Sequence, residues 1–123
     1  MNTITRSKRL IMAAFVATLS GGSASADVAW ITAKVTHTLV QPDGTYGACM
    51  AALSVDPASV LSSCSPHWVT FSCTGDFGDV LGAWRQFDQA QLALAGDHWV
   101  LVLVDDNRKH NGYCYAPRID VTK

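Results

Sequence analysis

Only 15% of the 123 residues are charged, all ten acids are aspartate, and there is neither a Gly-rich phosphate loop nor a Cys-x2-Cys pair. Each gap removes a class of function. Without glutamate there is no H-E-x-x-H metalloprotease helix, and no G-x-S-x-G marks a nucleophile elbow. His37, His67, His98 and His110 are scattered, with no H-x3-5-H spacing, so neither a metal nor a cofactor is expected. Lys and Arg clusters are missing too once the first 26 residues are set aside. Arg6, Lys8 and Arg9 lie in that stretch, which leaves six basic residues against ten aspartates and a formal charge of −4. A mildly acidic surface without clustered cations cannot release counterions from a phosphate backbone, so nucleic acid is excluded as a partner.

What is present begins with an export pattern. Arg6, Lys8 and Arg9 precede an apolar run from Leu10 to Leu19, then Gly21, Gly22 and the small residues Ser23, Ala24, Ser25 and Ala26. This is the tripartite secretory signal, with cleavage expected after Ala26. The run is about half of the ~20 residues that span hydrocarbon, so the mature chain is not expected to enter a membrane. Asp27 rather than Cys would come first, which gives no acyl anchor. Residues 1–26 are read as a signal peptide, residues 27–123 as one domain, and the location as secreted or periplasmic. Four cysteines (Cys49, Cys64, Cys73, Cys114) in so small an exported domain are expected to form two disulfides.

Along the mature chain, Ile31, Ala33, Val35, His37 and Leu39 alternate with Thr32, Lys34, Thr36 and Thr38, a strand with one wet face. Gln41 to Gly44 supply a turn. A second strand is predicted from Tyr46 to Val55, a loop from Asp56 to Pro66 and a third strand from His67 to Cys73. Between Gly75 and Gly96 the period becomes helical, with Val80, Trp84, Phe87, Gln91 and Leu94 near one face, Asp76 or Asp79 as N-cap and Gly96 as C-cap. Trp99 to Val104 is an unbroken apolar run, read as a strand buried on both sides. Asn111-Gly112 then turns into a last strand, Tyr113 to Val121. Trp30, Trp68, Trp84 and Trp99 are all expected in the core.

The order β-β-β-α-β-β at this length predicts a mainly β OB-fold, a five-stranded barrel with one helix and two disulfides; an open α+β sheet with the helix packed on one face is the alternative. A hairpin centred near position 61 sets Cys49 opposite Cys73, Ala51 opposite Phe71 and Leu53 opposite Val69, all on one face. This register pairs Cys49 with Cys73 and leaves Cys64 for Cys114.

The segment Ala83 to Ala95 followed by Trp99 to Val104 resembles the helix-strand unit of small secreted OB-fold proteins related to the B subunits of subtilase-type and pertussis-like AB5 toxins. The resemblance implies a non-enzymatic glycan-binding module with a possible homo-oligomeric assembly, and none of the family's sugar-contacting residues maps onto positions here. The alternative is a periplasmic protein-interaction or inhibitor domain, with an exported protein as partner. Within this reading the polar stretch from Asp105 to Gly112 forms an exposed loop between the last two strands. Its Asp105, Asp106, Asn107, Lys109 and His110, with the ring of Tyr46, are the candidate ligand-binding residues. Changes in that loop are expected to alter binding far more than folding. No catalytic residue is assigned, because no nucleophile or oxyanion arrangement is legible.

Overall fold

The computed structural model describes residues 27–123, so the signal-peptide expectation lies outside the described residues. The elements are β1 (Val28–Val40), β2 (Cys49–Leu53), a 3-10 turn (Pro57–Ser59), β3 (Trp68–Thr70), α1 (Val80–Gly96), β4 (Trp99–His110) and β5 (Tyr113–Thr122). Strand pairings run β1–β2–β3–β5–β4 and return from β4 to β1. All are antiparallel except β3–β5, which is parallel and consists of one pair, Thr70 with Tyr115.

The circuit closes on itself as a five-stranded barrel, and its thinnest seam is β3–β5. β3 spans three residues instead of the seven predicted from His67 to Cys73 and cannot zip along β5. The supported description is a five-stranded mixed sheet with one helix and two disulfides. Near the thin seam the chain is cross-linked by Cys64–Cys114, with Cα atoms 5.4 Å apart, and the Ser65 amide donates to the Gly112 carbonyl at 2.8 Å. Each native disulfide in a domain this small contributes roughly 2–4 kcal/mol.

The other disulfide joins Cys49 to Cys73 across 5.7 Å between Cα atoms. The hairpin register differs from the expected one by two residues. Ala51 faces Val69 rather than Phe71, and Ala52 faces Trp68. A shift of two preserves side-chain parity, so the same residues stay inside. Cys73 reaches Cys49 because Ser72, at φ 54°, folds the chain back beyond the strand end. β2 is also shorter than predicted, starting at Cys49, since Gly47 and Ala48 both take positive φ and break the ladder. Below the hairpin, Asp56 closes the loop to β3: its Oδ1 accepts from the His67 amide at 3.0 Å and the Ala58 amide at 2.9 Å. Those two bonds hold its carboxyl below the usual range.

The core is built from inward-facing alternation. Ile31, Ala33 and Val35 on β1 and Val100, Val102 and Val104 on β4 are buried, with Val69 and Phe71 beside them. The helix packs against β1, β2 and β5. Its buried stripe is Ala83, Phe87, Ala90 and Ala93, rotated from the predicted one. Small residues let the helix approach the sheet closely, so alanine defines the face and the larger Val80 and Leu94 sit outward. Trp84 is only partly buried, edge-on to Phe87 at 5.9 Å. Asp79 is the N-cap, accepting from the Gly82 amide at 2.8 Å, and Asp97 rather than Gly96 takes the left-handed C-cap. At Gly96 a Cβ would meet only the His98 ring, which would have to swing aside.

Phe87, 2% exposed, meets Phe71 at 6.3 Å between ring centroids and is the side chain that fills the space beneath the helix. Phe87→Ala is expected to lower unfolding free energy by about 3–5 kcal/mol, and Trp84→Ala by clearly less, because a half-covered site leaves a smaller cavity. Urea denaturation of both variants checks the order.

Candidate functional site

The stretch expected to form an exposed recognition loop is a β-ladder. β4 continues to His110 and pairs with β5 down to His110 opposite Tyr113, leaving only Asn111 and Gly112 at the turn, both with positive φ. Its polar side chains bond within the chain. Asp105 is 7% exposed and held by Arg108, whose Nη2 lies 2.9 Å and Nε 3.0 Å from Oδ2, while Oδ1 accepts from the Asn107 amide. Asp106 accepts from the Asp27 amide at 2.7 Å and from the Ser63 hydroxyl at 3.2 Å. Lys109 donates to the Ser63 carbonyl at 2.8 Å. Of the five candidates on this hairpin, Asn107 alone is exposed.

His110 is also largely covered. Its side chain is 12% exposed, its Nε2 is 2.9 Å from Ser72 Oγ and 3.5 Å from Asp76 Oδ2, and its ring stacks on Phe77 at 4.6 Å. A Cβ on Gly47 would collide with the same ring and with the Thr70 hydroxyl, so the positive-φ glycine is what admits His110. Ser, His and Asp do meet here, but not as a nucleophilic relay. Serine and aspartate share one ring nitrogen instead of flanking the imidazole, and Ser72 is fully buried. The cluster ties the hairpin to the turn after β3. Among the described residues no group of three His, Cys or Asp could hold a metal ion.

Tyr46 stands apart from that hairpin interior. With Leu39, Met50, Trp68 and Tyr113 it lines a depression of about 200 Å³, with the Tyr46 and Tyr113 rings edge to face at 5.6 Å. Trp68 also borders a second depression of about 330 Å³, lined by Thr36, His37, Ala52, Leu53 and His67.

The largest departure from expectation lies on the outside of β1, β4 and β5. The Trp99–Val104 run is buried on one side only: Val100, Val102 and Val104 point in, whereas Trp99 is 45% exposed and Leu101 and Leu103 are half-buried. The registers lay out a grid. Trp30, Leu103 and Arg118 form one row, Thr32, Leu101 and Asp120 the next, and Lys34, Trp99 and Thr122 the third. Trp30, expected in the core, is 49% exposed, and Val28 at the start of β1 is 63% exposed. A cation lies over each indole, Arg118 at 5.4 Å from the Trp30 ring and Lys34 at 4.8 Å from that of Trp99. Asp120 binds Arg118 through two hydrogen bonds of 2.8 and 3.0 Å, which raises the guanidinium pKa further. Lys34 likewise reaches Asp97 at 3.2 Å.

Sequence reasoning missed Trp30 and Trp99 because tryptophan and an unbroken apolar run both read as interior. The signal was in the inventory of elements: one helix cannot cover the sheet twice, so an apolar run facing both ways must leave one side open.

Comparison with protein-family models, with curated proteins and with solved structures finds no match. Among the described residues no helix is long and apolar enough to cross a membrane.

Since the hairpin side chains are bonded to Asp27, Ser63, Ser72 and Asp76, the combined Asp106→Ala, Lys109→Ala and His110→Ala variant is expected to melt more than about 4 °C below the parent, the shift that ~1 kcal/mol produces in a domain of this size. Thermal unfolding followed by circular dichroism checks it; an unchanged melting temperature would return these residues to the solvent.

Proposed function

We propose that this chain is an exported protein-interaction domain that docks a partner protein through the outer face of β1, β4 and β5. The supporting observation is the pair of half-exposed indoles, Trp30 and Trp99, flanking Leu101 and Leu103 on a sheet face that no other described residue layer covers. Isolated exposed apolar residues are ordinary; a contiguous group on a rigid sheet is characteristic of a binding surface. Tryptophan and arginine dominate interface hot spots because a large ring removes much area from water at little cost in rotamer entropy. Here both are pre-positioned, Trp30 beneath Arg118 and Trp99 beneath Lys34, so little side-chain ordering remains to be lost on docking. Asp120 and Asp97 offset the two cations, which leaves a charge-balanced rim around an apolar centre.

This reading takes the alternative weighed from sequence over the glycan one. The glycan reading placed recognition on residues 105–112, where Asp105, Asp106, Lys109 and His110 are engaged inside the chain. What remains for it is the aromatic wall of Tyr46, Trp68 and Tyr113.

The test is cross-linking in the native exported fraction with the parent protein, the Trp30→Ser/Trp99→Ser variant and Trp68→Ala. A discrete heteromeric species is expected with the parent and with Trp68→Ala, reduced at least tenfold in the double variant, with all three equally stable to urea. Glycan-array binding that disappears in Tyr46→Ala, with no cross-linked partner, would contradict the proposal.

A further inference from the structure

The Asp27 amide nitrogen donates to Asp106 Oδ1 at 2.7 Å, and the Asp106 amide returns a bond to the Asp27 carbonyl at 3.0 Å. The second Asp106 oxygen takes the Ser63 hydroxyl at 3.2 Å, which fixes the carboxylate from the side of the 56–66 loop. Asp27 is also the residue that follows Ala24-Ser25-Ala26. The nitrogen gripped by Asp106 is thus the one that cutting after Ala26 sets free.

We infer that Asp106 is a receptor for the α-ammonium group created when the leader is removed between Ala26 and Asp27. Hydrolysis adds one water across that peptide bond: Ala26 leaves with a carboxylate, and the Asp27 nitrogen carries the protons as an ammonium. A neutral N–H···O bond becomes a charge-assisted one, which is shorter and about twice as strong. Capture of an N-terminal amine by a prepared acceptor is a known mode of recognition, here performed within one chain. Its consequence falls on β1. Val28 pairs with Asp105 at the end of the β1–β4 ladder, two residues before Trp30, so removal of the leader strengthens a bond that already holds the corner of the outer face.

Among the described residues, the charged groups of this corner are already engaged or in contact with the nitrogen. Asp27 contributes its own carboxylate, Asp105 is occupied by Arg108, and the Lys109 ammonium lies on the Ser63 carbonyl. Asp106 is the group in direct contact. An amine whose pKa is raised in the folded state adds stability that is fully present below its unfolded value, about 8, and is lost as pH rises through the folded value.

The inference rests on the export reading and is independent of the partner at the outer face. The test uses protein expressed with its leader and recovered after export, beside Asp106→Asn and a form with one Gly inserted between Ala26 and Asp27. Intact mass is expected to show a chain starting at Asp27. Its α-amine is expected to titrate at least about half a unit above the ordinary value of roughly 8, and at the ordinary value in Asp106→Asn. The parent is expected to melt above the Gly-inserted form at pH 6, with the gap closing above about pH 10. The inserted form retains Asp106, so the comparison survives a poorly folding Asp106→Asn. A retained leader or another start site overturns the export reading and the inference together. A start at Asp27 with an unshifted amine, or a melting gap that ignores pH, overturns the capture alone.

Discussion

The seam between β3 and β5 sets the terms for the rest of the molecule. One parallel pair, Thr70 with Tyr115, is all the backbone bonding these strands share, and a sheet so joined would open readily. The chain compensates with side chains and sulfur. Cys64–Cys114, the Lys109 and Asp106 contacts to Ser63, and the His110 contacts to Ser72 and Asp76 all run from the β4–β5 hairpin to the segments flanking β3. Covering an imidazole nitrogen costs free energy unless it is hydrogen-bonded, and His110 Nε2 has its partners Ser72 and Asp76 only while the seam is closed. The polar hairpin therefore has a structural duty that its composition disguises.

Because the hairpin is committed to the seam, recognition has to be sought elsewhere. Among the described residues a single helix provides one covering layer, and that layer is spent beneath Ala83, Phe87, Ala90 and Ala93. The outward side of β4 and the start of β1 go uncovered while carrying tryptophan and leucine. Leaving such residues in water has no advantage for an isolated domain, since burying even one large side chain is worth about 1.5–3 kcal/mol. On the proposed reading, a partner protein resolves the mismatch.

Much of the fold was legible in the sequence. Alternation in β1 gave its strand and inner face, Asn111-Gly112 gave the last turn, and Asp79 gave the helix start. The disulfide connectivity followed from parity, which survives a two-residue register error. Other features depend on contacts that sequence does not display. The length of β4 beyond Val104 is decided by Arg108, Lys109 and His110 finding partners far along the chain, at Phe77, Ser63 and Ser72. The helix face was misjudged because large residues were assumed to mark it, whereas close approach selected alanine. The hairpin and the outer face were misread for the complementary reason: polar residues read as surface were bonded inside, and apolar residues read as core were left outside.

Hydroxyl-radical footprinting of the indole rings bears most directly on the central claim that Trp30 and Trp99 form an interface. The exported protein is labelled once in its native fraction and once after purification to a single chain. Trp30 and Trp99 are predicted to be protected in the native fraction and to become reactive on purification, with Trp68 changing little between the two. Equal reactivity of Trp30 and Trp99 in both samples would contradict the account.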